Sequence, residues 1–533
     1  KMNTRKKELL GIAIILIIQT IIFVVAGVNK SYIHMDEAYS LGLASYDKIE
    51  IQDNADFYDT WHDNSYYEDY LTVNDNEKGE FSQVYINQKN DVHPPFYYLL
   101  LRIMMGFSIN HYSKWSGIIL NIIIYLAITV FMYLILKKVL KSENRVKEKA
   151  LILSLVSSIT LASINSAIYI RMYALATLNI LITMYLHLKL LDAKENKTKI
   201  LVEIGLSALV GSLTHYYYLF FLAALFVMFV VKFIKEKDYK FLAKYIVTMC
   251  IAAALSLAIF PYSIKHMFFG YRGQGVLSKL KDISQFAKNI FGYITRIAVY
   301  DFNAVLPLIV IAILGLVIYK LIRKQKLVEK NTYIKYMLIP TLCYFLIVAV
   351  ASPWIELRYI TPVCGLIFIL VIYALYSLLK NIVKEKLLEK IMLGVLILIL
   401  IMPTIANTFI LKKYRLEPEV EYSDKKQIVE QLSNELNVPT LFSFNSNCNR
   451  FLDDILLFAK INESYIAKDC NWTEEKINEI MEGKDLSKGI VVFINEGQEN
   501  DDILSKLQQT LDLGKIEYLK RLNACDVYYI SNK

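Results

Sequence analysis

Arg5-Lys6-Lys7, followed by Leu9 to Val28 (LLGIAIILIIQTIIFVVAGV), decides the fold class: a short basic cluster and then an apolar run long enough to span a bilayer. No small-residue cleavage site follows Val28, so the run reads as a retained helix and not a signal peptide. The same grammar recurs along the chain. Further apolar runs cover Ile118 to Leu136, Leu151 to Ile164, Ala174 to Leu191, Leu201 to Leu213, Leu219 to Val231, Ile246 to Phe260, Val305 to Tyr319, Met337 to Ala351, Tyr359 to Leu379 and Ile391 to Ile410. Between them lie basic clusters at Lys137 to Lys149, Lys189 to Lys199, Lys232 to Lys244, Lys320 to Lys335 and Lys380 to Lys390. If every cluster is cytoplasmic, consecutive clusters must be separated by an even number of crossings, and about eleven spans satisfy this throughout. Phe96 to Ile109 is apolar but short and carries Arg102, so it reads as an interfacial or re-entrant helix on the outer side.

These observations predict a polytopic α-helical membrane protein of 533 residues, 55% of them hydrophobic. Its N-terminus is cytoplasmic. A transmembrane domain over 1–411 carries a long first outer loop (29–95) and a basic outer loop (261–303). A C-terminal extracytoplasmic α/β domain follows over 412–533, where helical patterns alternate with strand-like runs at Thr440 to Phe444, Gly489 to Ile494 and Val527 to Ile530. The net charge of +9 lies in the clusters between spans, so it is a topology code and not a nucleic-acid footprint. The Ile-, Lys- and Asn-heavy composition points to an AT-rich bacterial genome, and the expected location is a bacterial plasma membrane. The six cysteines are scattered without metal-like spacing.

With inner loops carrying little but lysine, chemistry belongs outside. The first outer loop holds fourteen Asp/Glu against three Lys from Ser31 to Pro94, mostly a solvated surface. Asp36 and Glu37 differ, because a pocket wall beside the membrane exit would raise their proton affinity, as a general base needs. His93 precedes Pro94-Pro95, which start the Phe96 helix. Arg171 with Tyr173, and Arg358 with Tyr359, sit at outer span ends. They suit either interfacial snorkelling or a phosphate group. His215-Tyr216-Tyr217-Tyr218 suits either an aromatic belt or a site. In the basic outer loop, Val276, Leu277, Leu280, Ile283, Phe286, Ile290 and Phe291 recur at helical spacing among lysines. That pattern predicts an amphipathic helix at the headgroups, with Lys265 and Arg272 available to a lipid phosphate.

Taken in order, Asp-Glu after the first span, His-Pro-Pro before a short apolar helix, the Arg-Met-Tyr turn, the His-Tyr-Tyr turn and a late Arg-Tyr resemble membrane glycosyltransferases of the GT-C class. The resemblance is to the branch of protein O-mannosyltransferases and bacterial aminoarabinose transferases, and it covers roughly Leu9 to Leu379. It implies an inverting hexosyl- or pentosyltransferase that moves a sugar from a polyprenyl-phosphate donor to a hydroxyl of a cell-envelope acceptor, among membrane lipids. It further implies Asp36 as base with Glu37 in support, and Arg171 and Arg358 on the phosphate with Lys265 or Arg272. His93 and His215 would shape the sugar site together with Tyr173, Tyr216 and Tyr359. Some members use a divalent metal (Mg or Mn) and others none, and no ligand spacing here decides between them. The competing class is a polytopic transporter or lipid flippase with an outer acidic site. Against it, the spans hold almost no ionisable residues and no paired Gly/Pro breaks.

Overall fold

The computed structural model describes residues 4–30, 32–48, 50–270, 273–275, 283–380, 382–410, 431–447, 450–522 and 524–533. The chain divides into two compact units: 1–30, 92–97 and 117–417 form one, and 31–91, 98–116 and 418–533 the other.

The first unit is helical. Among the described residues, eight helices are long and apolar enough to cross a membrane: Arg5–Asn29, Lys114–Val139, Tyr173–Asp192, Tyr218–Lys235, Tyr239–Ile259, Thr332–Ala351, Leu357–Leu379 and Glu385–Ile410. Val146–Ser158 and Leu161–Ile168, bent by 60°, make a ninth if the pair is one span. Thr160 causes this break by capping the second helix through its hydroxyl, which accepts from Ser163 N at 3.2 Å. Among the described residues eight or nine helices thus meet the length and composition of a span, short of the expected count of about eleven. Lys197–Ser212 has 16 residues and Leu306–Ile322 has 17. Both lie near the short end of the roughly 17–25 residues expected of a span. The Phe96–Met105 helix, with 10 residues, is shorter still.

The basic clusters meet at one end of this unit. Glu8 pairs with Lys137 at 2.5 Å and Lys147 at 2.6 Å, and Asp192 with Lys138 at 2.7 Å. Glu143 pairs with Lys380 at 2.8 Å and Glu389 with Lys149 at 3.2 Å. Lys197 lies over the Phe241 ring, which draws in a fourth inter-helix loop. These contacts join segments that the crossing argument assigns to one side of the bilayer.

The second unit is built on a six-stranded mixed sheet in the order β1-β3-β2-β4-β6-β5. The strands are β1 (Trp61–Asp63), β2 (Thr440–Phe444), β3 (Glu463–Lys468), β4 (Ile490–Asn495), β5 (Ile516–Arg521) and β6 (Cys525–Ile530). The pairs β3–β2 and β2–β4 are parallel, while β1–β3, β4–β6 and β6–β5 are antiparallel. One edge strand thus comes from the first long loop, pairing Trp61 with Tyr465 and Asp63 with Glu463. Alternation along the strands separates two faces. Leu441, Ala467, Val492 and Ile494 pack with Ile477, Leu504 and Leu507 of the covering helices. On the other face, Phe442 and Phe493 meet Phe458, and Phe442 meets Phe451 at 5.6 Å between ring centroids. The loop completes this second core: Phe57 and Tyr67 lie 5.0 Å and 5.8 Å from Phe451.

Arg102, the charge that disqualified Phe96–Met105 as a span, is only 3% exposed. Its guanidinium donates to the carbonyls of Ala44, Ser45 and Glu77 at 2.8–3.2 Å, closing loop ends that would otherwise bury bare carbonyls.

Candidate functional site

Asp36 and Glu37 lie in the first turn of the Met35–Ser45 helix. Such a turn leaves backbone N–H groups without intrahelical partners, and this one is capped at each early position. His34 is the N-cap, and its Nδ1 accepts from Asp36 N at 3.1 Å. Glu37 reaches back so that its carboxylate accepts from His34 N at 2.9 Å, completing a capping box. Met35 N donates to Asp453 Oδ1 at 3.3 Å. The two acidic residues therefore differ. Glu37 is 1% exposed and serves as a helix cap, whereas the Asp36 side chain keeps 20% of its surface. His34 Nδ1 also lies 3.7 Å from Asp36 Oδ2.

In the helical unit, cations and aromatic rings gather at the end away from the ion-paired lysines. Arg358 Nη1 donates to the Tyr169 hydroxyl at 3.1 Å, and its guanidinium lies 5.3 Å from the Tyr359 ring centre. Lys30, 2% exposed, lies 5.9 Å from the centre of the Tyr169 ring. Tyr173 meets His215 at 5.4 Å and Tyr359 at 6.1 Å, and His93 meets His215 at 6.0 Å between ring centroids. Burial, with His93 and Arg171 nearby, holds the His215 pKa well below its usual value, so this imidazole stays neutral. Arg171 itself is 6% exposed. A cavity of about 40 Å³ opens among Asn165, Ser166, Tyr169, Tyr173, Arg358 and Thr361, enough for a few waters or for phosphate oxygens.

His93, Arg171, Tyr173, His215, Arg358 and Tyr359 are thus brought into one neighbourhood of their unit. Tyr216 turns elsewhere, its hydroxyl 2.9 Å from His266 Nδ1, and Lys265 is exposed. Arg272 and the run 276–282 lie outside the described residues. The remainder of the expected amphipathic segment is helical over Ile283–Tyr300. Its Tyr293 is buried and donates to Ser352 Oγ at 2.6 Å and to the Trp354 carbonyl at 3.0 Å, so one face of that helix packs on protein. Among the described residues, no group of three or more His, Cys, Asp and Glu is placed to hold a metal ion.

The sequence reading missed Lys30 and Tyr169. The argument that singled out Arg171 and Arg358, a cation at a span end expected outside, applies equally to Lys30 beyond Val28. Tyr169 stands two residues before Arg171 in the same turn.

Compared with known proteins by sequence, the chain matches no family model and no curated protein. Its structure is similar to the crystal structure of ArnT from Cupriavidus metallidurans bound to undecaprenyl phosphate, with a TM-score of 0.51, 10% identity and 97% of each chain covered. A weaker similarity is to the archaeal oligosaccharyltransferase AglB from Archaeoglobus fulgidus, with a TM-score of 0.45, 12% identity, and 98% of this chain and 74% of that one covered. The ArnT comparison shows a shared fold along nearly the whole length.

Proposed function

We propose that the protein is a GT-C-type glycosyltransferase of the bacterial plasma membrane that transfers a sugar from a polyprenyl-phosphate donor to an acceptor hydroxyl on the outer face. The observation that carries this reading is the clustering of Arg171, Arg358 and Lys30 around the Tyr169–Tyr173–Tyr359 rings, beside a neutral His215. Buried Lys30 and Arg171 and half-buried Arg358, close to aromatic rings, suit the headgroup of a lipid phosphate: guanidinium forks bind phosphate oxygens, and the rings exclude water. A solved structure of this fold holds undecaprenyl phosphate, which supports the same ligand class here.

In the reaction, the acceptor oxygen attacks the anomeric carbon as the bond from that carbon to the phosphate oxygen breaks. The hydroxyl proton passes to the Asp36 carboxylate, and the electron pair leaves on the polyprenyl phosphate. Arg171 and Arg358 stabilise the charge that develops on that phosphate. In-line displacement inverts the anomeric centre. Glu37 holds the helix start that carries Asp36.

The test supplies the protein in nanodiscs with a panel of tritiated polyprenyl-phosphate hexoses and pentoses and a cell-envelope extract as acceptor. Label should move to the acceptor with release of polyprenyl phosphate, and Asp36→Asn should lower the transfer about 1,000-fold. Turnover by Asp36→Asn at the parent rate would remove the base assignment. Movement of the intact donor across the bilayer without a covalent product would replace the transferase with a flippase.

A further inference from the structure

We infer that Asp453, far along the chain in the C-terminal segment, is a positioning residue for Asp36; this rests on the proposed transferase reading. Tyr32, Met35 and Asp453 all belong to the sheet-bearing unit. The Asp453 side chain is fully buried, and its two oxygens divide the work. Oδ1 accepts from Met35 N at 3.3 Å and from the Tyr32 hydroxyl at 3.4 Å, while Oδ2 accepts from Arg450 Nε at 2.9 Å and pairs with Arg450 Nη2 at 2.8 Å. Met35 is the first residue of the Asp36 helix, so this carboxylate captures an N–H that the helix cannot satisfy internally. It also places negative charge where the helix dipole favours it. His34 and Glu37 cap the helix from its own sequence, and Asp453 is the cap supplied from elsewhere.

The cap is rigid because its own turn is rigid. Asp453 closes the short 3-10 helix Phe451–Asp453, in which Asp453 N donates to the Arg450 carbonyl at 3.2 Å. The Phe451 ring is clamped by Phe458 at 4.8 Å and by Phe57, from the first loop, at 5.0 Å. Arg450 matches the charge of the buried carboxylate, so its cost of burial is offset. The sheet domain therefore fixes the start of the helix on which Asp36 sits. A proton acceptor displaced by about 1 Å loses on the order of 100-fold in rate, which gives this distant domain a direct hold on turnover.

The experiment uses the full chain in nanodiscs with the tritiated polyprenyl-phosphate sugar that the parent turns over. Asp453→Ala is expected to lower kcat about 10- to 100-fold with the donor KM within about twofold. Asp453→Glu should restore part of the rate, and hydrogen exchange at the Met35 amide should quicken in Asp453→Ala alone. Tyr32→Phe removes the hydroxyl that donates to Asp453 without emptying the site, and should give a smaller kcat loss with an unchanged melting temperature; it carries the test if Asp453→Ala does not fold. Parent kcat in Asp453→Ala while Asp36→Asn is inactive overturns the inference and leaves the transferase reading standing. A kcat loss matched by a risen KM and a lowered melting temperature, with no recovery in Asp453→Glu, overturns it in favour of a purely structural role. Full turnover by Asp36→Asn, or no turnover of any donor by the parent, defeats the transferase reading itself.

Discussion

The two ends of the helical unit use the same kinds of residue in different ways. The Tyr173–Asp192 helix joins them, about 30 Å apart at 20 residues. At the Asp192 end, lysines meet carboxylates one by one: Lys138 on Asp192, Lys380 on Glu143, Lys149 on Glu389. At the Tyr173 end, cations are held through rings and a hydroxyl, with Arg358 on Tyr169 and Tyr359 and Lys30 over Tyr169. A carboxylate partner neutralises a cation, whereas a ring adds a contact that does not itself cancel the charge. The comparison teaches where to look for function: cations set among aromatics and histidines mark the proposed site, and cations knitted to acids mark the scaffold.

The largest expected effect lies outside both ends. Asp36→Asn should lower transfer about 1,000-fold, the range of a lost general base, while Glu37→Gln should stay within a few-fold because an amide still completes the capping box. Transfer assays on the two variants decide it, and equal losses would erase the distinction between base and cap. Next, Arg358→Lys should cost about 10- to 100-fold in kcat by replacing a planar fork with a point charge, whereas Lys380→Met at the opposite end should leave kcat within about twofold. Parallel kinetics would break the comparison if the two losses matched.

Two smaller effects concern stability. Asp301 belongs to neither end: it is buried, accepts from Thr160 Oγ1 at 2.9 Å, and burial raises its pKa to about 6 from 3.8. A carboxyl whose folded pKa is raised stabilises the fold while neutral and loses that contribution as pH climbs through about 6. Asp301→Asn should therefore raise stability by up to about 3 kcal/mol at pH 8 relative to its effect at pH 4, read from melting curves across that range. Glu143 behaves oppositely. Burial pushes its pKa up, but bonds from Lys380 and Tyr376 outweigh it and hold the group below the usual carboxylate range. Its contribution is present above the unfolded value and fades as pH falls through the folded one. Lys380→Met should cost about 1 kcal/mol at pH 7, with the deficit shrinking in acid. Melting curves that do not converge at low pH would show that Lys380 acts through packing and not through its charge.

Much of the helical unit was legible because a span must be continuously apolar and its flanks carry the topology code, both written locally. The expected spans at Lys197–Ser212 and Leu306–Ile322 are helices of 16 and 17 residues: apolar composition located them but did not set their length. Thr440–Phe444 was legible as a strand, while Trp61–Asp63 was not: three residues with a His and an Asp acquire strand identity only by pairing with β3. Arg102 shows the same limit, since its partners are backbone carbonyls, which every sequence position offers equally.

By itself the sequence determined the polytopic class, the positions of the long helices, the clustering of lysines that the ion pairs now join, and the residue types gathered around Arg171 and Arg358. Only the tertiary structure decided that Glu37 caps while Asp36 keeps its surface, that Lys30 lies over the Tyr169 ring whose hydroxyl accepts from Arg358, and that the first loop supplies a strand to the C-terminal sheet and receives Asp453 in return. The physical reason is range. Hydropathy and periodicity report what one segment must bury, whereas a cap delivered across 418 positions leaves no local pattern and exists only once both segments have folded.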